Sequence, residues 1–300
     1  MPSQPRAPRP RLADVVRSKA FRRAAKIFVR ILTIILTVCI ILQILLGYVI
    51  AKDPRLFPAA LQRSKNLLIV TAHPDDETLF FAPSILRVLD NRKTTGGLLV
   101  LSNGNNYGLG DVRKVELKGA CGILSIDDDR CEALNRPELQ DNPKKWWDEH
   151  EIIAAVKEYV EKWEVDAIIT FDHGGISGHI NHRAVSRAVK KYASTDAKAP
   201  VTYLLSSVTF LRKYTFLFDL PLTSLPFTWR IIGALLSPIK DTEQDFGGKA
   251  LIANTWPSYL KTREAFRSHD SQYSWDRSLY LILSRQVWFN DLVRVERQPQ

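Results

Sequence analysis

Short apolar runs and helically spaced apolar residues alternate along most of this chain. Mainly apolar runs predict buried strands at residues 67–72, 97–102, 167–171 and 201–206. Between them, apolar residues recur every three or four positions and predict amphipathic helices at residues 79–89, 111–124, 149–163 and 182–192. Because strands alternate with helices, we expect an α/β fold, a Rossmann-like three-layer sandwich around a mainly parallel sheet.

A different pattern precedes this domain, where residues 31–50 form a run of twenty without a charged side chain. As a helix, such a run spans about 30 Å, the thickness of the hydrocarbon core of a bilayer. A cleaved signal peptide is the alternative, but the run is too long and starts only after thirty residues. We therefore expect one transmembrane helix at residues 31–50, preceded by a basic, partly disordered tail at residues 1–30.

The net charge of +10 is concentrated in the amino-terminal region. Residues 1–50 hold nine Lys or Arg and one acid, whereas residues 51–300 hold 33 basic and 31 acidic side chains. A nucleic-acid-binding domain requires a basic stripe or patch, and the nearly neutral body of this chain does not provide one. We therefore expect membrane lipid, and no nucleic acid, among the partners.

The first candidate site is the sequence His73-Pro74-Asp75-Asp76-Glu77, which directly follows a predicted strand. Open α/β sheets bind their ligands at the carboxyl edge of the strands, where such a turn must lie. One imidazole and two carboxylates can hold a divalent metal and still leave one carboxylate as a base. The alternative is an ordinary helix start, since Pro and acidic residues are also common in a first helical turn.

A second polar turn follows the predicted strand at residues 167–171. This turn, residues 172–182, contains three glycines and ends with His179 and His182. Residues three apart share one face of a helix, so both imidazoles are expected on the same side. A single histidine here would be expected to be a capping or surface residue, but two such turns after two strands favour a shared metal site.

The two turns together resemble a known enzyme family. Residues 72–77 and 178–182 are similar to the motifs of the zinc-dependent LmbE-like de-N-acetylases, which act on N-acetylglucosamine conjugates. Within that family, the chain is most similar to the N-acetylglucosaminyl-phosphatidylinositol (GlcNAc-PI) de-N-acetylases of glycosylphosphatidylinositol (GPI) anchor biosynthesis. Residues 101–110 and 269–272 add weaker matches, and the resemblance covers about residues 66–292.

The resemblance implies roles for five polar residues of the two turns. His73, Asp76 and His182 would bind Zn2+, with another divalent metal as the alternative. Asp75 would be the general base, and His179 the second acid or the group that stabilises the oxyanion. Three protein ligands suit a catalytic zinc ion because they leave coordination positions open for water and the substrate carbonyl.

The resemblance also implies substrate-binding residues and a reaction. Arg113 resembles a family arginine that contacts the sugar, and Asp141 matches an acidic sugar-binding position. The implied reaction is hydrolysis of the N-acetyl group of GlcNAc-PI to glucosaminyl-phosphatidylinositol and acetate. The alternatives are a de-N-acetylase of another N-acetylglucosamine conjugate and a non-catalytic membrane scaffold that binds a glycolipid. Intact Asp75 and His179 count against the scaffold, because binding alone requires neither a base nor an acid.

Charge and resemblance imply opposite membrane orientations. More Lys and Arg residues precede the predicted anchor than follow it, and the positive-inside rule would then place the enzyme domain in the lumen. The resemblance implies a single-pass protein of the endoplasmic reticulum membrane whose catalytic domain faces the cytoplasm, and we adopt this orientation. On that side Cys121 and Cys131 are expected to be free thiols, although they could pair in the lumen.

An apolar segment interrupted by prolines, residues 214–239, lies outside the alternating pattern. Its charged residues Asp219 and Arg230 and its three prolines are unfavourable for a transmembrane helix. We expect a flap that lies in the membrane interface and helps to admit a lipid substrate. The alternative is a proline-rich insertion that packs against the domain core.

Overall fold

The computed structural model of the protein describes residues 18–239, 244 and 246–298, so residues 1–17 of the predicted tail lie outside the described residues. The described strands form one sheet: β1 (Asn66–Thr71), β2 (Thr95–Val100), β3 (Cys131–Ala133), β4 (Ala167–Phe171), β5 (Val201–Leu205), β6 (Lys249–Ala253) and β7 (Phe289–Arg294). Their order across the sheet is β3-β2-β1-β4-β5-β7-β6. The first five strands in this order are parallel, and β7 runs antiparallel to both of its neighbours.

Helices cover both faces of the sheet. The longer ones are α1 (Lys19–Ile44), α2 (Ala82–Leu89), α3 (Gly110–Ile123), α4 (Glu149–Lys162), α5 (Ile180–Thr195), α6 (Thr228–Leu236), α7 (Trp256–Arg267) and α8 (Trp275–Leu283). On one face α4 packs against α5, and on the other α7 packs against α2 and α3. The prediction of a three-layer α/β fold with a mainly parallel sheet is confirmed.

Shorter helical segments connect these elements. α1 continues as a π-helical turn at Leu45–Val49, and a second π-helical turn at Glu77–Phe81 leads into α2. Single α-helical turns lie at Ala59–Gln62, Gly175–Gly178, Phe210–Lys213 and Leu220–Ser224. Turns of 3-10 helix lie at Asn105–Tyr107, Asp128–Arg130, Pro137–Leu139, Phe216–Asp219, Leu225–Phe227, Asp270–Gln272 and Arg285–Val287.

The central strands β1 and β4 are buried on both faces, which explains their unbroken apolar sequences. Every side chain of β4 is buried, as are all those of β1 after Asn66. Leu68 of β1 lies beside Gly97 of β2 on one side and Ile168 of β4 on the other. This parallel register brings the carboxyl ends of β1 and β4 together, and with them the two polar turns.

The sequence pattern did not predict three of the strands, β3, β6 and β7. The elements that it did predict differ from the observed ones only at their ends. β3 is three residues long, too short to give a periodic signal. β6 and β7 form the antiparallel edge of the sheet, in which Tyr203 of β5 lies beside Arg294 of β7. Pairing between residues so distant in sequence depends on the tertiary fold, and no local pattern reports it.

Cys121 of α3 and Cys131 of β3 form a disulfide. This corrects the expectation of free thiols, which followed from the cytoplasmic orientation. The physical reason is that β3 packs against α3 and brings the two Cα atoms to 6.3 Å, a separation that a disulfide can span.

α1 and its π-helical continuation form one apolar helix that could cross a membrane by its length and composition. The second half of this helix packs on the domain, where Cys39 and Leu46 are buried. Gln43 Nε2 donates to the carbonyl oxygens of Asn254 and Trp288 at 2.8 and 3.0 Å. The helix therefore has a specific interface with the α/β domain, in which the amide nitrogen of its one buried glutamine is hydrogen-bonded.

Residues 214–239 fold as a succession of short helical segments that ends in α6. The segment contacts α1 through Phe216–Asp219 and Leu220–Ser224. Asp219 ties it to the domain by accepting hydrogen bonds from Arg212 and Arg285 at 2.6 and 2.7 Å. Several apolar side chains of the segment are nevertheless exposed: Phe218, Leu222, Leu225, Trp229, Ile232, Leu235 and Leu236.

Candidate metal centre and active site

Both polar turns lie at the carboxyl edge of the sheet, at the ends of the neighbouring strands β1 and β4. From β1 the chain continues to β2 and β3 on one side, whereas β4 and β5 lie on the other side. Such a reversal of strand order opens a crevice at the strand ends, where doubly wound proteins bind their ligands. The fold therefore joins two turns that are distant in sequence.

His73, Asp76 and His182 direct donor atoms at one point. His182 Nε2 lies 3.3 Å from His73 Nδ1 and 3.3 Å from Asp76 Oδ1. His73 Nδ1 is 3.8 Å from Asp76 Oδ2, and all three side chains are buried. Ligands bound at 2.0–2.1 Å to a tetrahedral zinc ion are about 3.3 Å apart, so both contacts of His182 Nε2 have the spacing expected of zinc ligands.

Hydrogen bonds fix the other polar atoms of two of these side chains. Asp76 Oδ2 accepts the backbone N–H groups of Ala72 and His73 at 3.1 and 2.9 Å, which leaves Oδ1 for a metal. His182 Nδ1 lies 3.0 Å from the Gly175 carbonyl oxygen, so the proton is on Nδ1 and Nε2 has a free lone pair. Burial opposes the charge of Asp76, but His182 and His73 hold its pKa well below the usual range.

Asp141 lies behind His73, with Oδ1 3.2 Å from His73 Nε2. The two atoms lie within ion-pair distance, but their geometry does not make a hydrogen bond, and His73 is charged only when both of its ring nitrogens are protonated. Burial lowers the pKa of His73, but Asp141 and Asp76 outweigh burial and raise it. Burial raises the pKa of Asp141, whereas His73 lowers it below the usual range. The structure thus places Asp141 against a candidate metal ligand, and its predicted contact with the sugar stays a prediction.

Asp75 is buried beside the three ligands in an uncommon backbone conformation. Its φ is 109°, a region that residues other than glycine rarely adopt. Its N–H donates to Glu77 Oε2 at 3.0 Å, and its carbonyl oxygen accepts the Thr78 hydroxyl at 2.8 Å. Burial, followed by the charge of Asp76, raises the pKa of Asp75. A carboxylate with a raised pKa accepts a proton more readily, as a general base must.

Arg113 is buried beneath the first turn. Its Nη2 donates to the Pro74 carbonyl oxygen and lies 3.7 Å from Asp75 Oδ2. Its Nη1 donates to the Gly104 carbonyl oxygen at 3.2 Å. Gly104 has a φ of 70°, and a Cβ at this position would collide with the guanidinium, so glycine is required there. Arg113 therefore supports the turn that carries Asp75, and its contact with the sugar stays a prediction.

His179 lies at the amino-terminal cap of α5, one turn before His182. Its Nδ1 accepts the Asn181 N–H at 3.3 Å, so the ring proton is on Nε2. One of its ring nitrogens lies within 4.8 Å of those of His73 and His182, and these three imidazoles could also hold a metal together. Burial, and then the neighbouring imidazoles, lower the pKa of His179 to about 4. At neutral pH His179 is therefore an uncharged donor beside the ligands.

The structure adds Glu77 and His269 to the site, which the sequence pattern did not assign to it. His269 Nε2 lies 2.6 Å from Glu77 Oε1, and neither side chain has exposed surface. Glu77 holds the N–H of Asp75 with its other carboxylate oxygen. The signal in the sequence was indirect, because Glu77 ends the first motif and His269 begins the weaker match at residues 269–272.

Comparison with known proteins agrees with this geometry. Residues 68–193 match the PIG-L family model, described as GlcNAc-PI de-N-acetylase. The N-acetylglucosaminyl-phosphatidylinositol de-N-acetylase of Bos taurus is 34% identical over 228 residues, which cover 75% of this chain and 81% of the relative. The chain belongs to the GlcNAc-PI de-N-acetylase family. The Saccharomyces cerevisiae GlcNAc-PI de-N-acetylase is 30% identical over 303 residues, which cover 91% of this chain and 98% of that protein.

Solved structures share the fold of this GlcNAc-PI de-N-acetylase family member. The N,N'-diacetylchitobiose deacetylase of Pyrococcus horikoshii has a TM-score of 0.50 at 14% identity, covering 84% of this chain and 90% of its own. The A40926 pseudoaglycone deacetylase Dbv21 has a TM-score of 0.52 at 11% identity, covering 79% of this chain and 99% of its own. At these identities the likeness concerns the fold alone.

Proposed function

We propose that this protein hydrolyses the N-acetyl group of GlcNAc-PI, which releases acetate and glucosaminyl-phosphatidylinositol in GPI-anchor biosynthesis. The observation that carries the proposal is the convergence of His73, Asp76 and His182 on one point, with Asp75 buried beside them. The substrate is inferred from the relatives, since those from Bos taurus and Saccharomyces cerevisiae are named for this reaction.

The chemistry of the donor set supports zinc as the metal. His73, Asp76 and His182 would hold it, since two imidazoles and one carboxylate are a common set of ligands for catalytic zinc. A bound zinc ion supplies Lewis-acid chemistry, which polarises the amide carbonyl and lowers the pKa of water to about 7. Asp75 takes a proton from the water oxygen as that oxygen bonds to the amide carbon. Its raised pKa, caused by burial and then by Asp76, favours this transfer.

His179 stabilises the negative charge that develops on the amide oxygen. Its Nε2–H is available to donate, because Nδ1 accepts the Asn181 N–H. A positioned donor of this kind typically contributes about a hundred- to a thousandfold to the rate. Asp75 then passes its proton to the amide nitrogen, and the C–N bond breaks to give acetate and the free amine.

The segment at residues 214–239 supports a membrane-embedded substrate. α1 packs from Cys39 onward against Phe216–Asp219 and Leu220–Ser224, so these turns lie beside the second half of the anchor. If residues 31–50 cross the hydrocarbon core, the same turns enter one leaflet. Trp229 and Leu236 are 82% and 81% exposed, and tryptophan is enriched at membrane interfaces. The segment would thus hold the site beside the lipid.

Replacing both Trp229 and Leu236 with serine tests this membrane contact. We expect lower activity on GlcNAc-PI in vesicles and unchanged activity on a water-soluble GlcNAc-inositol. Val115→Ser on α3, also an exposed apolar position, is the matched control and should leave both activities unchanged. Equal loss on the two substrates would show that the segment serves only to pack the domain.

We place the protein in the endoplasmic reticulum membrane with its catalytic domain facing the cytoplasm, as the family resemblance implies. The basic residues before the anchor and the Cys121–Cys131 disulfide favour the opposite orientation. An N-glycosylation acceptor sequence added after the carboxyl terminus distinguishes the two orientations. We expect no glycan on that sequence, and a glycosylated chain would place the domain in the lumen.

Acetate release by the purified full-length protein tests the reaction itself. With GlcNAc-PI as substrate, we expect a chelator to stop release and added zinc to restore it. Asp75→Asn retains the three ligands and is the matched inactive control. Release from other N-acetylglucosamine conjugates but not from GlcNAc-PI would refute the proposed substrate, and binding of GlcNAc-PI without release would indicate the scaffold.

A further inference from the structure

Lys213 is a buried cation close to the reaction site. It ends the helical turn Phe210–Lys213 that follows β5, and only 7% of its surface is exposed. Its Nζ lies 5.5 Å from the ring centroid of Phe80, 5.6 Å from that of Tyr214 and 5.5 Å from that of Tyr280. Aromatic faces attract a cation but do not neutralise its charge.

In the described part of the chain, no carboxylate forms an ion pair with Lys213. Two other basic side chains are paired, since Arg212 lies 2.6 Å and Arg285 2.7 Å from oxygens of Asp219. The negative charge that acts on Lys213 is that of Asp76, which a bound metal would offset. A buried charge without a counter-charge costs free energy of folding, so this ammonium indicates an anion from outside the chain.

One aromatic ring separates Lys213 from the ligand set. The Phe80 ring that lies below Nζ also meets the His182 ring, with centroids 5.9 Å apart. Arg277 of α8 adds a second positive charge, which acts on both Lys213 and Asp75. Burial, and then the charge of Arg277, lower the pKa of Lys213 to about 8. The ammonium therefore remains protonated at neutral pH.

Lys213 also lies at the boundary between the site and the apolar surface. Phe210 and Leu211, in the same helical turn, are 75% and 78% exposed, and the apolar segment starts at the next residue, Tyr214. In the membrane arrangement proposed above, Lys213 therefore lies next to the segment that contacts lipid.

We propose that Lys213 Nζ, together with Arg277, binds the phosphodiester of the glycolipid substrate. This inference rests on the proposed function, which places the acetamide beside Asp75 and the three ligands. In GlcNAc-PI, the phosphodiester is carried by the inositol ring to which the glucosamine is attached. A substrate with its acetamide at the ligands therefore extends its phosphodiester past Phe80 toward Lys213. The aromatic rings position Nζ but do not neutralise its charge, so the full charge is available to the phosphodiester.

The test compares two substrates that differ in the phosphodiester, GlcNAc-PI and GlcNAc-inositol. Lys213→Met keeps the aliphatic volume and removes the charge. We expect KM for GlcNAc-PI to rise about ten- to a hundredfold, because a hydrogen bond to a charged group is lost. The kcat for GlcNAc-PI should not change, and neither should kcat or KM for GlcNAc-inositol. Lys213→Arg should recover most of the affinity. Lys157→Met is the matched control, because Lys157 also lies over an aromatic ring but pairs with Asp196.

Each other outcome has a definite meaning. An equal rise in KM for both substrates, or no change for either, overturns the phosphodiester contact. If Lys213→Met does not fold, the same two substrates are compared with Arg277→Gln, since Arg277 is only half-buried. This variant should also raise KM for GlcNAc-PI alone. If the wild-type protein releases acetate from neither substrate, the proposed function fails, and that result is separate from any effect at Lys213.

Discussion

Glu77 and His269 form a fully buried pair, with His269 Nε2 2.6 Å from Glu77 Oε1. The second oxygen of Glu77 accepts the N–H of Asp75, whose φ of 109° places it in a sparsely populated region of backbone conformation. Since such a conformation persists only where surrounding contacts hold it, the pair fixes the backbone that carries the candidate base. His269 therefore contacts the first turn through Glu77.

Glu77→Ala is expected to lower kcat about a hundredfold. The reason is that displacing a catalytic group, here Asp75, by about 1 Å typically reduces the rate by that factor. Metal content and KM should remain near wild type, since Glu77 is not among the three candidate ligands. Glu77→Gln retains an acceptor for the Asp75 N–H and should recover part of the rate. Steady-state kinetics and metal analysis of the purified variants measure these effects. Loss of metal in Glu77→Ala would contradict the positioning role.

Substitutions at the ligands and at the base should separate metal binding from turnover. Alanine at His73, Asp76 or His182 removes one of three donors, so we expect loss of both zinc and activity. Asp75→Asn and His179→Ala leave the three donors intact and should retain zinc while losing turnover. Elemental analysis alongside acetate release provides the measurement. Equal zinc loss in all five variants would show that the roles are not divided in this way.

Asp141→Asn distinguishes two roles for this carboxylate. If Asp141 orients His73 through the 3.2 Å contact, we expect metal affinity to fall about ten- to a hundredfold, as is typical when a partner of a ligating histidine is removed. If Asp141 instead contacts the sugar, KM rises and metal affinity is unchanged. Competition with a fluorescent zinc chelator measures the first effect, and kinetics with GlcNAc-PI measure the second.

Lys213→Met is expected to stabilise the protein at neutral pH by on the order of 1–3 kcal/mol, because the folded state no longer holds an unpaired buried ammonium. The pKa of Lys213 falls from 10.5 to about 8 on folding. Between these values the unfolded chain binds more protons than the folded one, so this group makes the free energy of unfolding rise with pH.

The stabilising effect of Lys213→Met should therefore be present at pH 7 and diminish as the pH rises from about 8 toward 10.5. Thermal unfolding of the detergent-solubilised protein at neutral and alkaline pH measures both the effect and its pH dependence. A variant that melts below wild type at pH 7 would show that the contacts with Phe80, Tyr214 and Tyr280 outweigh the cost of burial.

The strands and helices of the sheet centre were largely predictable from the sequence. β1 and β4 are buried on both faces, so their apolar residues form continuous runs, and each run ends at a polar turn. The spacing of His179 and His182 reflects a single helical turn, which local sequence also encodes. The long apolar helix is another local feature, because its length and apolar composition are read directly from the sequence.

Which side chains meet across the site was decided by the tertiary structure. Asp141 reaches His73, His269 reaches Glu77, and Lys213 reaches the ring of Phe80. Two further features also depend on contacts between separate segments: the antiparallel pairing of β6 with β7 and the disulfide between α3 and β3. Periodicity reports how each segment divides its own residues between core and solvent. Contacts between segments depend on how loops and helices pack over the sheet edge, and this information is absent from any single stretch of sequence.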